Sequence, residues 1–439
     1  MKTGILFSTL LLAIALLGVA SSSMADHHEE VSNPDVKCLK CHSRNLKKKL
    51  GDGETMSLKI NIEAFETSVH RVIGCTGCHR DIVKGKKHPS REPIESARAY
   101  SLKHNQACSQ CHEANHEEYR TSVHAIMVEN GDDSAPLCSS CHSAHAIQPR
   151  TVDQPVVGDP CGDCHQPIEE AFNQSVHGQA LESGNVIRGG HVTAPTCSSC
   201  HNAHDIAAVT TTDYLVDTCI NCHEVAELAH QQWLPNANMH MTSVSCAACH
   251  SPQADLRVDL QLYDETNQTP VRQNEKNGTV QETLAAIDSE GDGLDPVELW
   301  KLVRQINEQD PDNKVTLRGR LEVSNSVAAH QLAASTEAVR SCENCHQGNA
   351  EPFQNVTVSM SRPDGRRETF KADKRVLNSA MSVDSVGGFY APGGTRIKLL
   401  DALLVLAVLA GLAVPVGHIS LGKILAKKRA ADKNNSQET

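Results

Sequence analysis

The sequence predicts a chain of mostly short α-helices and loops packed around an array of bound groups, with little β structure and one C-terminal transmembrane helix. Three observations predict this architecture. The pentapeptide C-x-x-C-H occurs nine times and uses all 18 cysteines. Aromatic residues make up only 3% of the 439 residues, so side chains alone supply few large groups for a core. Residues 402–422 form an apolar run without a formal charge.

The nine C-x-x-C-H motifs indicate covalently bound haem. In this motif two thiols add to the vinyl groups of one porphyrin, and the following histidine ligates the iron. A zinc ribbon needs no histidine after C-x-x-C, and a disulfide framework would not repeat one local spacing nine times. We therefore predict nine c-type haems, whose apolar rings form most of the core. The attachment cysteines are Cys38, Cys41, Cys75, Cys78, Cys108, Cys111, Cys138, Cys141, Cys161, Cys164, Cys197, Cys200, Cys219, Cys222, Cys246, Cys249, Cys342 and Cys345.

The chain contains 24 histidines, and nine of them are predicted to be proximal iron ligands because they end a C-x-x-C-H motif. These are His42, His79, His112, His142, His165, His201, His223, His250 and His346. Nine distal ligands are needed if every iron is six-coordinate. The predicted distal histidines are His70, His88, His124, His145, His177, His204, His230, His240 and His330. Bis-histidine ligation favours low reduction potentials.

Most of the distal histidines are predicted from repeats in the sequence. S-V-H recurs at His70, His124 and His177, and C-H-x-x-H places His145 and His204 three residues after a proximal histidine. Two histidines three residues apart cannot bind one iron from opposite faces, so each C-H-x-x-H is expected to serve two haems. His104, His116 and His191 compete for the weaker positions. The alternative for all of these histidines is a hydrogen bond to a haem propionate.

The motifs come in twos, which predicts stacked dihaem modules. "CSSCHSAH" at 138–145 and "CSSCHNAH" at 197–204 close two similar modules. The predicted boundaries are residues 1–25 for a signal peptide, 26–255 for an octahaem region of four dihaem modules, 256–335 for a haem-free insert, 336–396 for a ninth-haem segment and polar tether, 397–422 for the transmembrane helix and 423–439 for a cytoplasmic basic tail.

The two ends of the chain predict export and anchoring. Lys2, an apolar stretch and small residues before Asp26 are typical of a cleaved secretory signal. Residues 402–422 are long enough to span a bilayer, which takes about 20 residues. Lys and Arg residues at 423–429 follow the span, so the positive-inside rule places the haem region in the periplasm.

The predicted insert carries an acidic motif that resembles an EF-hand loop. Asp288, Glu290, Asp292 and Gly293 follow the calcium-binding spacing, but Leu299 stands at the twelfth position. A Ca²⁺ site and a solvated acidic turn before a helix both fit this pattern. The alternating sequence "KVTLRGRLEVS" predicts a strand or part of a hairpin.

The formal net charge is −12, and haem propionates add further negative charge. This balance argues against nucleic acid as a partner. It favours a basic or small redox partner that docks transiently.

The haem motifs, the S-V-H and C-H-x-x-H repeats and the exported, anchored layout resemble the multihaem cytochromes c of bacterial respiratory chains. The likeness extends to small tetrahaem and decahaem electron-transfer families and to cytochrome c subunits that accompany a membrane cytochrome b. It covers roughly residues 36–255 and 330–346. The resemblance implies electron relay at the periplasmic face of the inner membrane. The implied partners are a membrane cytochrome b or quinone oxidoreductase subunit and periplasmic redox proteins.

An enzyme is the alternative function. Multihaem reductases of nitrogen or sulfur oxyanions resemble this chain in haem number, and such enzymes need one iron with an open position. Many mark that iron with a variant such as C-x-x-C-K, which does not occur in this sequence. Electron transfer is therefore preferred, and no catalytic residue is assigned.

Overall fold

The structure, a computed structural model, forms two compact units. The first comprises Met1–Tyr100 and Ser143–Pro149, and the second comprises Ser101–His142 and Arg150–Thr439. The residues described are 33–83, 88, 92–148, 160–183, 186–187, 191–192, 194–206, 212–272, 280–309, 311–312, 314–362, 366–379, 386–387 and 398–435. The expected signal peptide, residues 1–25, lies outside the described residues.

Short helices and one β-hairpin make up the described part of the first unit. Its helices are Asn33–His42, Ile62–Glu66, Cys75–Cys78 and Arg80–Val83, with a 3₁₀ turn at Arg71–Ile73. The hairpin pairs β1 (Lys47–Lys49) antiparallel with β2 (Thr55–Ser57). The expectation of short helices is confirmed here.

The second unit is also built largely from short helices. Its described helices are Ala97–Ser109 (which begins within the first unit), Glu113–Arg120, Val123–Glu129, Cys138–His142, Gln166–Gln174, Val176–Glu182, Cys197–His201, Thr212–Ile220, Ala226–Gln231, Ala237–Ser243, Cys246–His250, Val280–Ile287, Pro296–Gln309, Ser326–Ala329 and Lys398–Asn435. Turns of 3₁₀ helix occur at Pro160–Asp163, Cys342–Asn344, Glu351–Phe353 and Lys374–Asn378. A small hairpin joins β3 (Val186–Ile187) and β4 (His191–Val192).

Serine positions the helices that carry two of the S-V-H histidines. Ser122 is fully buried, and its hydroxyl accepts the Ala125 N–H at 3.1 Å. Ser175 accepts the Gly178 N–H at 3.2 Å in the same way. A serine at the N-cap satisfies an amide that would otherwise lack a partner in the first turn. Each following histidine is therefore fixed at the start of a short helix.

The expectation of little β structure is wrong for the second unit, which contains a six-stranded sheet. Its strands are β5 (Leu256–Asp264), β6 (Thr269–Pro270), β7 (Val315–Val323), β8 (Val356–Ser361), β9 (Arg367–Ala372) and β10 (Val386–Gly387). The order is β10-β7-β5-β8-β9, and β6 pairs with one end of β5. β5 is antiparallel to β7 over nine residue pairs and parallel to β8.

A side-chain core stabilises this sheet. The helix Pro296–Gln309 buries Leu299, Leu302, Val303 and Ile306. Their i, i+3, i+4, i+7 spacing forms one apolar face, which packs in a single cluster with the apolar residues of β5, β7 and β8. The sequence suggested that haem would supply most of the core, but this part of the chain has a core of its own.

The insert is larger than the predicted 256–335. Residues 350–396, expected as a polar tether, contribute β8 and β9 and the buried side chains of Phe353, Val376 and Leu377. Hydrogen bonds to Asp259 on β5 satisfy the hydroxyl groups of Thr357 and Ser359 on β8, so these polar residues can be buried in the sheet. Residues 363–365, 380–385 and 388–396 of the expected tether lie outside the described residues.

The acidic motif forms a tight turn before the helix Pro296–Gln309. The Asp288 carboxylate accepts the N–H groups of Gly291 at 2.8 Å and Gly293 at 3.1 Å. Both glycines have positive φ, which suits a residue without a Cβ. Leu299, at the twelfth position, is buried in the core and offers no oxygen ligand. The geometry fits the solvated turn, and calcium binding stays a prediction.

The C-terminal helix runs from Lys398 to Asn435. Within it, Ala402–Arg429 is long and apolar enough to cross a membrane, and its side chains are exposed. The basic residues at 423–429 continue the helix, so the expected tail begins as helix.

Candidate haem-binding sites

Histidine rings stand in pairs throughout the described part of the chain. Eight predicted proximal histidines each face one predicted distal histidine, with ring centroids 5.9–6.4 Å apart. The pairs are His42 with His88, His79 with His145, His165 with His124, His142 with His204, His223 with His177, His201 with His330, His250 with His230 and His346 with His240. Of the two remaining predicted ligands, His70 lies in the first unit and His112 in the second.

The spacing within each pair fits one iron between two imidazoles. An imidazole nitrogen binds first-row metals at about 2.0–2.1 Å, so two rings that share one iron have centroids about 6 Å apart. The eight pairs lie at this separation, and each pair contains the histidine of one C-x-x-C-H motif. The residues present therefore fit a c-type haem at each of these motifs.

Hydrogen bonds at Nδ1 leave the other ring nitrogen available for a metal. A carbonyl oxygen can only accept, so Nδ1 carries the proton in each case and Nε2 keeps its lone pair. The bonds run from Nδ1 of His42 to Leu58 O at 2.8 Å, His230 to Ala226 O at 2.7 Å, His240 to Asn236 O at 3.2 Å and His330 to Ser326 O at 2.7 Å. The fold thus selects the ligating tautomer at four of the sites.

Burial keeps several paired histidines neutral. Desolvation lowers the pKa, and a neighbouring histidine lowers it further, at His124, His145, His177, His201 and His250. A metal binds the neutral ring, so this shift favours ligation.

Partners of the S-V-H histidines lie further along the chain. His124 pairs with His165 and His177 with His223, so each reaches the first motif of the next module. Histidines of the sequence A-H-x-I/L pair in the opposite direction. His145, His204 and His330 face His79, His142 and His201, each in the second motif of an earlier module.

Backbone hydrogen bonds repeat with this pairing. The S-V-H valine N–H binds the carbonyl two residues after an A-H-x-I/L histidine in three places. These bonds are Val69 to Ile147 at 2.9 Å, Val123 to Ile206 at 2.9 Å and Val176 to Leu332 at 2.8 Å. The two kinds of distal histidine are therefore held together in each repeat.

A backbone turn separates the two histidines of each C-H-x-x-H. The residue after the proximal histidine, Ser143 in one repeat and Asn202 in the other, has a φ of 51° or 55°. Positive φ is uncommon outside glycine and redirects the chain sharply. The second histidine consequently leaves its own motif and faces another one.

The fourth module has its A-H-x-L histidine after the sheet insert. The chain leaves the module at Asp255 and returns at Ser324, whose N–H binds Asp255 O at 2.8 Å. Ala333 N–H then binds His250 O at 2.7 Å. His330 lies outside the S-V-H and C-H-x-x-H repeats, because the insert separates it from its module. The shared A-H-x-I/L pattern of "AHAI", "AHDI" and "AHQL" would have found it.

Thiols of consecutive motifs lie side by side. A hydrogen bond with Cys108 lowers the pKa of Cys138 to about 7, and one with Cys219 lowers that of Cys246 to about 6. Cys249 neighbours Cys345, the attachment residue of the ninth motif. Attachment sites that follow one another in sequence are therefore adjacent in space within the second unit.

Three side chains lie near the eighth C-x-x-C-H motif, although no sequence pattern predicted them there. Trp233 lies 6.0 Å from the His230 ring, and the Arg340 guanidinium lies 5.4 Å above Trp233. Arg320 on β7 is buried, and its positive charge helps to lower the pKa of Cys246. They are far apart in sequence, so no local motif marks them.

Three further histidines occupy positions outside the eight pairs. His104 lies on Ala97–Ser109, His116 lies one turn after His112 on Glu113–Arg120, and His191 begins β4. None of these three histidines belongs to an S-V-H or an A-H-x-I/L sequence, so none is assigned as a distal ligand.

Replacement of a distal histidine should change the spin state of one iron. In His177→Leu the imidazole opposite His223 is lost, so we expect one low-spin haem to become high-spin. Low-temperature EPR measures this change. His116→Leu is the matched control and should leave every haem low-spin. An unchanged spectrum in His177→Leu would show that His177 is not a ligand.

Comparison with known proteins agrees with the site geometry. A family model described as cytochrome c3 matches residues 132–224, which contain four of the nine C-x-x-C-H motifs. The cytochrome c-type protein NrfB of Escherichia coli O6:H1 is 31% identical over 142 residues, covering 29% of this chain and 68% of that protein. No solved structure matches the chain. The chain belongs to the family of multihaem c-type cytochromes that includes NrfB.

Proposed function

We propose that the chain is a periplasmic nonahaem cytochrome, anchored in the inner membrane, that relays electrons between the quinone pool or a membrane cytochrome b and periplasmic redox proteins. The observation that carries the proposal is the set of eight histidine pairs. With haem bound, the two histidines of a pair would both ligate the iron, which would leave no open position for a substrate there. This supports electron transfer over a reductase.

In this proposal, side chains of the protein hold each haem and orient its iron ligands. Bound haem supplies one-electron redox chemistry. The motif cysteines would attach the ring to the backbone, and Nδ1 hydrogen bonds hold four imidazoles in the ligating tautomer. Ligands exchanged between modules fix the spacing of neighbouring sites, as at His124 with His165. A rigid spacing suits electron transfer, because little has to rearrange when charge moves.

The membrane attachment in this proposal depends on the C-terminal helix. Residues 402–422 of this helix expose an apolar surface, which water would disfavour. A span of this kind would hold the haem-bearing units beside a quinol-oxidising or quinone-reducing partner. The ninth motif, at Cys342, is nearest to the helix in sequence and is the candidate for exchange with that partner.

Removal of residues 398–439 tests the membrane role. We expect the truncated, haem-loaded protein to leave the membrane fraction and to lose reduction by quinol in membrane vesicles. Reduction by dithionite should be unchanged, because it needs no membrane partner. The matched control replaces Lys427 and Lys428 by glutamine, which keeps the apolar span. If quinol reduces the haems equally fast without the helix, the result would contradict the anchoring proposal.

A further inference from the structure

The first haem-binding motif lies in a strongly basic part of an acidic protein. Residues 36–60 contain seven lysines and arginines but only two carboxylates, a local net charge of +5. The other 414 residues carry −17, since the whole chain carries −12. The cations are Lys37, Lys40, Arg44, Lys47, Lys48, Lys49 and Lys59, and together they are called the basic surface.

The basic surface is built on a defined hairpin. β1 and β2 pair Lys47 with Ser57, Lys48 with Met56 and Lys49 with Thr55. Lys47 and Lys49 are exposed on one face, and Lys48 turns to the other, where its ammonium donates to Glu92 O at 2.8 Å. Except for Lys48 the cations are exposed, and no ion pair among the residues described neutralises any of the seven.

Hydrogen bonds connect the hairpin directly to the iron ligand of the first site. The His42 ring donates from Nδ1 to Leu58 O, and the Ile60 N–H binds His42 O at 2.6 Å. Leu58 N–H binds Leu46 O at 2.8 Å, which closes the base of the hairpin. His42 faces His88 at 6.0 Å. The basic surface therefore adjoins one candidate electron-transfer site.

We propose that the basic surface is the docking site for an acidic redox protein that exchanges electrons at the first haem motif. This inference rests on the proposed electron-relay function. The net charge of the whole chain favoured a basic partner, but the local charge at this site is opposite. Complementary charge speeds encounter between redox proteins and orients them at the reacting site. A redox protein fits better than an anionic lipid, because the surface adjoins an iron ligand.

Charge reversal on the hairpin tests the proposal. The probe is a reduced, acidic [2Fe–2S] ferredoxin mixed with the full-length, haem-loaded protein in a stopped-flow experiment. In Lys47→Glu/Lys49→Glu we expect electron uptake at low ionic strength to slow by about tenfold or more, and the difference to disappear in high salt. Lys301→Glu/Lys371→Glu is the matched control, because it makes the same change in net charge at two exposed lysines of the second unit.

Carbodiimide cross-linking gives a second readout that does not depend on rate. Ferredoxin carboxylates should link to Lys47 and Lys49 in the wild-type protein. Equal slowing in both double variants would overturn the proposal, because only net charge would then matter. Phosphatidylglycerol vesicles that block modification of these lysines while ferredoxin reacts normally would assign the surface to lipid instead. A failure of the relay function is distinguishable, since one iron of the wild-type protein would then be high-spin in the EPR spectrum, whichever lysines ferredoxin contacts.

Discussion

A chain made without haem attachment should lose the stable structure of its haem-binding segments and keep that of its sheet. The reason is the distribution of buried side chains. Of the 31 buried hydrophobic residues in the described part of the chain, only nine lie before residue 256, and six of these nine are alanine. Helices of 4–13 residues are marginal without packing. The other 22 lie between Val258 and Leu377, around the sheet.

Hydrogen exchange measured by mass spectrometry tests this expectation. In the haem-free chain, peptides from 33–148 and 160–250 should exchange at nearly the rate of an unfolded chain, whereas β5, β7 and β8 should stay protected. The haem-loaded protein is the control and should be protected in both regions. Equal protection of the haem-binding segments without haem would show that side chains alone hold them. Loss of protection in the sheet would show that its core also depends on haem.

Arg367→Met should destabilise the sheet by about 3–5 kcal/mol, because it removes one partner from a buried charge cluster. Arg367 lies 3.3 Å from Asp259 and 2.6 Å from Glu322. Asp259 is 2% exposed and also accepts hydrogen bonds from Thr357 and Ser359. Burial raises the pKa of Asp259, and Arg367 opposes this rise. Without the guanidinium, the Asp259 carboxylate keeps its two hydroxyl hydrogen bonds but loses its salt-bridge partner.

Exchange rates of β5 and β8 amides in the haem-loaded protein measure the loss. Arg304→Met is the matched control, because Arg304 pairs with Glu308 on the exposed face of a helix, where such a pair contributes about 0.3–0.5 kcal/mol. An acid whose pKa is raised by folding binds more protons in the folded state. The variant should therefore regain stability as pH falls through the folded pKa of Asp259 and lose it as pH rises. A change no larger than that of the control would contradict this account.

Haem attachment could be predicted from the sequence, because the residues that attach one haem lie within five positions of one another. Two thiols and a histidine within five residues define the site, and the serine of S-V-H caps the helix that follows at Ser122 and Ser175. The pairing of ligands was not readable, because His201 and His330 are separated by the sheet insert. The opposite charge at the first site was missed because net charge averages over the whole chain.

The sheet was only partly predictable. The alternating pattern of β7 indicated a strand, and the structure confirms it at Val315–Val323. β8 has Thr357 and Ser359 on a buried face, so its sequence resembles a loop until Asp259 is placed beside it. Polar residues buried against a distant carboxylate give no local signal. Residues 350–379 were therefore assigned to a tether, although they belong to the sheet and its core.

Low-temperature EPR of the oxidised, purified protein, with haem counted by pyridine haemochrome, tests the central claim most directly. The account predicts nine haems per chain, all low-spin, because histidines are expected on both faces of every iron. One high-spin iron in the wild-type protein would contradict it. Such an iron would have an open position, and the chain would then be a candidate reductase rather than a relay.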